Sequence, residues 1–158
     1  DDRARRKLLA TIRQAYRAAP EFERALPLVS DILLSEELDL TTLVASSLML
    51  INDYLGRPVP LVRSSALAGR GAATGQARLI AICQSLGATE YVNMAGGAAL
   101  YSAADFAAQG LALRLLQPTL LPYRQGGGAF VPGLSILDVL MHNSSVQVNE
   151  LVRQGILL

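Results

Sequence analysis

Apolar positions in the first third of the chain recur at helical intervals. Between residues 2 and 18, Leu8, Leu9, Ile12, Ala15 and Tyr16 share one face while Arg5, Arg6, Arg13 and Arg17 take the others, which predicts an amphipathic helix with a basic, wet side. Pro20 is tolerated in a helix's first turn and permits a new start. Phe22, Leu26, Val29, Ile32 and Leu33 then continue the stripe. Asp39 reads as the N-cap of a third helix through Leu40, Leu43, Val44, Leu48, Ile51 and Leu55, and Gly56 supplies its stop.

Beyond residue 57 the pattern shortens. Val59 to Arg63 is an extended run ending in Ser64-Ser65, followed by the Gly-rich stretch Ala68-Gly69-Arg70-Gly71-Ala72. Thr74 can cap a helix through Leu79, Ile80, Ile82, Cys83 and Leu86, closed by Gly87. Glu90-Tyr91-Val92-Asn93 is a short strand, Gly96-Gly97 turns the chain into a short helix near Leu100-Tyr101, and Phe106 anchors the next helix. Gly110 closes that helix before a strand over Leu111 to Leu116. Strands alternating with helices across short connections predict an α/β fold. The expected form is a three-layer-like domain with a short, mainly parallel sheet, flanking helices and an N-terminal helical segment. It is taken as one domain over 1–158, helical over 1–56 and α/β over 57–158.

The last quarter runs through Tyr123-Arg124-Gln125 and Gly126-Gly127-Gly128 into Phe130 to Met141. Ser135 predicts a helix start, with Asp138 three residues on in the pattern of a capping box.

Composition then narrows the chemistry. With 51% apolar and 17% charged residues the chain belongs among folded proteins. No run approaches the roughly 20 apolar residues of a spanning helix, and no h-region follows the N-terminal basic residues. The chain therefore reads as cytoplasmic, with no transmembrane segment. A net charge of +1 creates no field that would gather nucleic acid. One cysteine, Cys83, and one histidine, His142, leave no disulfide and no Cys/His zinc set, so no metal is expected.

In α/β sheets ligands collect at the carboxyl ends of the strands, which selects Ser64, Ser65, Asn93 and the Gly96-Gly97 loop. The two serines could hold a phosphate or sugar hydroxyl, or only satisfy loop backbone. The glycines allow close backbone approach, or only a turn. Arg78, in the first turn of its helix, suits a phosphate or carboxylate, against the reading of a surface ion pair. Tyr123 and Gln125 could seat a sugar ring, or the tyrosine could pack over the core. Ser135 with Asp138 reads first as a helix cap. His142 lacks a Gly-x-Ser-x-Gly partner and reads as structural, and Cys83 as core. No catalytic residue and no cofactor can be named.

Three stretches together resemble the WbqC-like protein family: Thr11 to Phe22, Gly75 to Cys83 with Leu86 to Tyr91, and Phe130 to Asn143. Ser64-Ser65, Asn93 with Gly96-Gly97, Leu100-Tyr101, and Tyr123 with Gln125 fall between them in the family's order. Relatives begin earlier, with a strand and a Gln-Pro-Tyr-Phe-x-Pro-Tyr-x-Gly-Tyr motif that this chain lacks, so the resemblance is to the family's C-terminal two-thirds. Two positions depart from it: Ala77, where relatives tend to be polar, and His142, where an aromatic is common. The resemblance implies a bacterial protein of O-antigen, lipopolysaccharide or other surface-polysaccharide biosynthesis, with transfer of glycine or a similar group to a sugar as its activity. It also implies a nucleotide-sugar or glycan substrate, with Tyr101 and Ser135 joining the binding residues. Two alternatives stand: a non-catalytic accessory or scaffold protein that meets a partner protein, or a second copy, through its basic helix; and a nucleotide-dependent ligase or adenylyl transferase.

Overall fold

A computed structural model describes residues 2–37, 39–67 and 73–158. In chain order the elements are α1 (Asp2–Tyr16), α2 (Phe22–Leu33), α3 (Leu40–Tyr54), α4 (Gly75–Ser85), β1 (Glu90–Met94), α5 (Ala103–Ala107), β2 (Ala112–Pro118), α6 (Ile136–His142), α7 (Ser145–Leu151) and β3 (Gly155–Leu157). Short 3-10 turns occupy Ser64–Ala66 and Ala95–Leu100. The fold is mixed α/β. No helix among the described residues is long and apolar enough to cross a membrane.

The chain divides into two compact units. Asp1–Leu61 and Leu120–Gln154 form the first, Val62–Thr119 and Gly155–Leu158 the second. In the first, Leu9 and Ile12 of α1 pack with Ala25, Leu28 and Val29 of α2, Leu55, Leu140 and Met141 of α6, and Val148 of α7. Each such burial contributes about 1.5–3 kcal/mol for a large side chain. Polar bonds join the ends of these helices. The Glu21 amide donates to the Met141 carbonyl at 3.0 Å, and Asn149 Nδ2 donates to the Leu55 carbonyl at 2.7 Å. The Asp39 carboxylate caps α3 by accepting from the Thr42 amide at 2.7 Å. Arg5 spends its guanidinium within the unit, on the Ser35 and Glu37 carbonyls.

The second unit is built on a three-stranded mixed sheet in the order β1-β2-β3. β1 and β2 are parallel, with Glu90 opposite Ala112 and Met94 opposite Leu116. The sequence pattern does not announce β3, which adds an antiparallel edge with Leu157 opposite Leu116. Phe106 is fully buried with Cys83 and Leu111 beneath the sheet, and its ring stacks on Tyr91 at 5.4 Å. α5 ends where Gly110 takes φ of 72°, a left-handed conformation that favours glycine.

The run from Val59, expected as a strand ending in Ser64-Ser65, joins no ladder among the described residues, and the two serines sit in a 3-10 turn. Pro58 and Pro60 explain this, because neither has an N–H to give to a ladder. The Gly-rich stretch 68–72 lies outside the described residues.

Truncating the second unit's central ring tests this packing. Phe106→Ala is expected to destabilise the protein by about 3–5 kcal/mol, read as a lowered denaturant midpoint.

Candidate functional site

The first unit gathers its polar side chains around one carboxyl group. Ser135 caps α6, its Oγ accepting from the Leu137 amide at 3.3 Å. Asp138 falls one turn later on the helix face that points inward and is 5% exposed. Asp138 Oδ2 accepts from the Tyr123 hydroxyl at 2.7 Å and from Gln125 Nε2 at 3.1 Å. Oδ1 accepts from the Tyr16 hydroxyl at 3.1 Å. The capping-box expectation therefore holds only in its serine half. Asp138 does not reach back to the helix start, because three donors from α1 and the 123–125 segment hold it.

One turn further on, His142 Nδ1 lies 2.9 Å from the Asp138 backbone carbonyl and 3.4 Å from Oδ1. Both neighbours are acceptors, so in the neutral ring Nδ1 carries the proton and Nε2 keeps its lone pair. Tyr16 meets the imidazole edge-on at 5.7 Å, and Tyr123 lies tilted to it at 6.4 Å. Gln125 also clamps the glycine loop behind it. Its Oε1 accepts from the Val131 amide at 2.7 Å, and Nε2 donates to the Val131 carbonyl at 3.0 Å. Burial, then the hydrogen bond to Asp138, pushes the Tyr123 hydroxyl up to about 12. Tyr16 is raised for the same two reasons in the same order.

Two clefts border this cluster. One, of about 500 Å3, is lined by Tyr123, Arg124, His142, Asn143, Gln147 and Glu150 among others. The second, of about 370 Å3, is lined by Ala15, Ala18, Ala19, Pro20 and Gly126, again with Arg124 and His142. Gln147 closes a capping box with Ser144 at the start of α7. Glu150, one turn on, continues the same helix face. Among the described residues neither Arg124 nor the Glu150 carboxylate makes an ion pair or side-chain hydrogen bond.

Of the residues expected from sequence, Tyr123 and Gln125 meet at Asp138, and Ser135 sets the helix that carries it. The others lie in the second unit. Arg78 Nη2 approaches Ser64 Oγ at 3.4 Å, and Ser65 is exposed in its turn. Asn93 Oδ1 accepts from the Met94 amide at 2.8 Å. Its amide lies so close to Gly97 that a Cβ there would meet Nδ2 at 3.1 Å and the Tyr101 ring at 3.6 Å. Gly96 has open space around it. Gln76 ties the same region together, donating to Asp105 Oδ2 at 2.7 Å and accepting from the Ser102 amide.

Sequence reasoning did not select Tyr16, Arg124, Glu150 or Gln76 and set Asp138 and His142 aside. The available signal was the helical spacing of Asp138 and His142 on one face of an apolar helix. No group of three or more His, Cys, Asp or Glu comes together among the described residues.

The chain belongs to the WbqC-like protein family, whose model matches residues 1–150. No curated protein and no solved structure matches it.

Asp138→Ala leaves the Tyr16 and Tyr123 hydroxyls without their acceptor and takes one of two acceptors from the Gln125 amide, and is expected to destabilise the protein by about 3 kcal/mol. Tyr123→Phe removes one donor and is expected to lose only about 1 kcal/mol. Chemical denaturation checks both. The pH response follows from tyrosine. The Tyr123 hydroxyl ordinarily titrates near 10.0 and here near 12, as does Tyr91, raised first by burial and then by Tyr101. A raised pKa favours the neutral form in the fold, so its stabilisation is complete below about 10 and lost as pH climbs towards 12. The thermal midpoint should fall across that window, and fall less in Tyr123→Phe.

Proposed function

We propose that the protein is a cytoplasmic group transferase of bacterial surface-polysaccharide (O-antigen) biosynthesis, placing a glycine-type acyl group on a sugar, and that the larger cleft is the sugar's seat. The observation that carries this is the cleft's lining in a WbqC-like chain. Tyr123 offers an aromatic face, Asn143 and Gln147 offer amides, and Glu150 offers a carboxylate with no side-chain partner among the described residues. An aromatic platform ringed by amide and carboxylate groups suits a pyranose, whose C–H face is apolar and whose rim is hydroxyl. Tyr123 and Gln125 are also the pair that the sequence offers for a sugar ring, with packing of the tyrosine over the core as the other reading.

The accessory-protein reading relies on the basic face of α1. Two of its arginines are engaged at home: Arg5 on the Ser35 and Glu37 carbonyls, and Arg6 with Asp2 at 2.8 Å. That leaves less charge for a partner.

Titration calorimetry of the full chain with glucosamine, N-acetylglucosamine and UDP-N-acetylglucosamine tests the proposal. At least one should bind, and Glu150→Ala should weaken it about ten-fold through loss of hydrogen bonds to a charged group. If none of the three binds, the sugar seat is wrong. Retention of a partner protein that Arg13→Glu releases would then favour the accessory role.

A further inference from the structure

The two clefts have two lining residues in common, Arg124 and His142. Their other walls differ in kind. The larger presents amides and the Glu150 carboxylate, whereas the smaller is walled by the methyl groups and backbone of Ala15, Ala18, Ala19, Pro20 and Gly126. Among the described residues no carboxylate lines the smaller cleft, and Arg124 brings the one guanidinium. A guanidinium fork without a protein carboxylate suits a phosphate, which it can grip through two parallel N–H donors. His142 stands at the junction. Its Nδ1 is committed to Asp138, and Nε2 has no hydrogen-bond partner among the described residues.

Building on the sugar-transferase reading, we infer that the site takes two substrates at once. The acceptor sugar occupies the larger cleft and an acyl phosphate the smaller, with Arg124 on the phosphate and His142 between them as general base. In the transfer the sugar's amine or hydroxyl attacks the acyl carbonyl carbon, forming a C–N or C–O bond. The bond from that carbon to the phosphate oxygen breaks, and its electron pair leaves with the phosphate that Arg124 holds. The proton shed by the attacking group passes to His142 Nε2 and from there to solvent. Asp138 is a positioning residue: its backbone carbonyl, 2.9 Å from Nδ1, fixes the tautomer in which Nε2 can accept.

Glucosamine as acceptor, inorganic phosphate as anion, and acetyl phosphate or acetyl adenylate as donors test this on the full chain. Glucosamine and phosphate should bind together without competing, and Arg124→Gln should weaken phosphate about ten-fold or more. His142→Phe and His142→Gln should keep glucosamine binding yet lower N-acetylglucosamine formation about a hundred-fold. Nitrogen NMR of the chain's one histidine should show the Nδ1-protonated ring, and should still show it in Asp138→Asn, where the backbone carbonyl that accepts from Nδ1–H remains. The two donors tell a simple acyl phosphate from a nucleotide-linked one. Mutual displacement of phosphate and glucosamine, unchanged phosphate binding in Arg124→Gln, or transfer at the parent rate without the imidazole would each overturn the inference. Glucosamine binding with no transfer from either donor also overturns it and leaves the sugar seat standing. Absence of glucosamine binding to the parent chain overturns the inference, and absence of binding by glucosamine, N-acetylglucosamine and UDP-N-acetylglucosamine alike overturns the reading beneath.

Discussion

A carboxyl group withdrawn from water must find donors, and in the first unit that requirement organises everything near it. Asp138 is satisfied by Tyr16, Tyr123 and Gln125, groups that are distant in sequence from one another or from α6. Meeting that need brings α1, the 123–125 segment and α6 to one point. It also orients the imidazole of His142 and, through Gln125, closes the loop to Val131. Low local polarity strengthens each of these bonds and makes a missing one costly, so the cluster holds as a network more than as separate pairs.

Much of the local structure was legible in the sequence because its cause is local. Asp39 caps α3 through its carboxylate, Gly56, Gly87 and Gly110 adopt the left-handed conformation that ends helices, and Glu90 to Asn93 forms a strand. The short apolar runs gave no means of telling a paired strand from an extended connection. The run from Val59 to Ser65 therefore has the look of a strand, while β3, only three residues long, carries no such mark. The true capping box, Ser144 with Gln147, was overlooked because no long apolar run follows it, whereas Ser135 and Asp138 had the right spacing and another purpose.

The candidate site was less legible for a different reason. A rule about strand ends selects Ser64 and Asn93, and a place in a helix's first turn selects Arg78, but the first of those strands does not form. Tyr123 and Gln125 were found because their chemistry fits a sugar wherever they stand. That they converge on Asp138 depends on long-range packing, since residues 120–154 group with the N-terminal helices. Helical spacing alone could have marked Asp138 and His142 as neighbours, but not what they face.

The second unit's core carries a consequence of another kind. Cys83 is the chain's one thiol, sits 7% exposed against Phe106 and Leu111, and has its ionisation suppressed first by burial. A thiol so placed is shielded from alkylating and oxidising agents while the unit stays closed, because only the exposed thiolate reacts. Its labelling rate is therefore a clock for the opening of the second unit alone. Oxidative stress would reach that core through breathing motions and not through the folded surface.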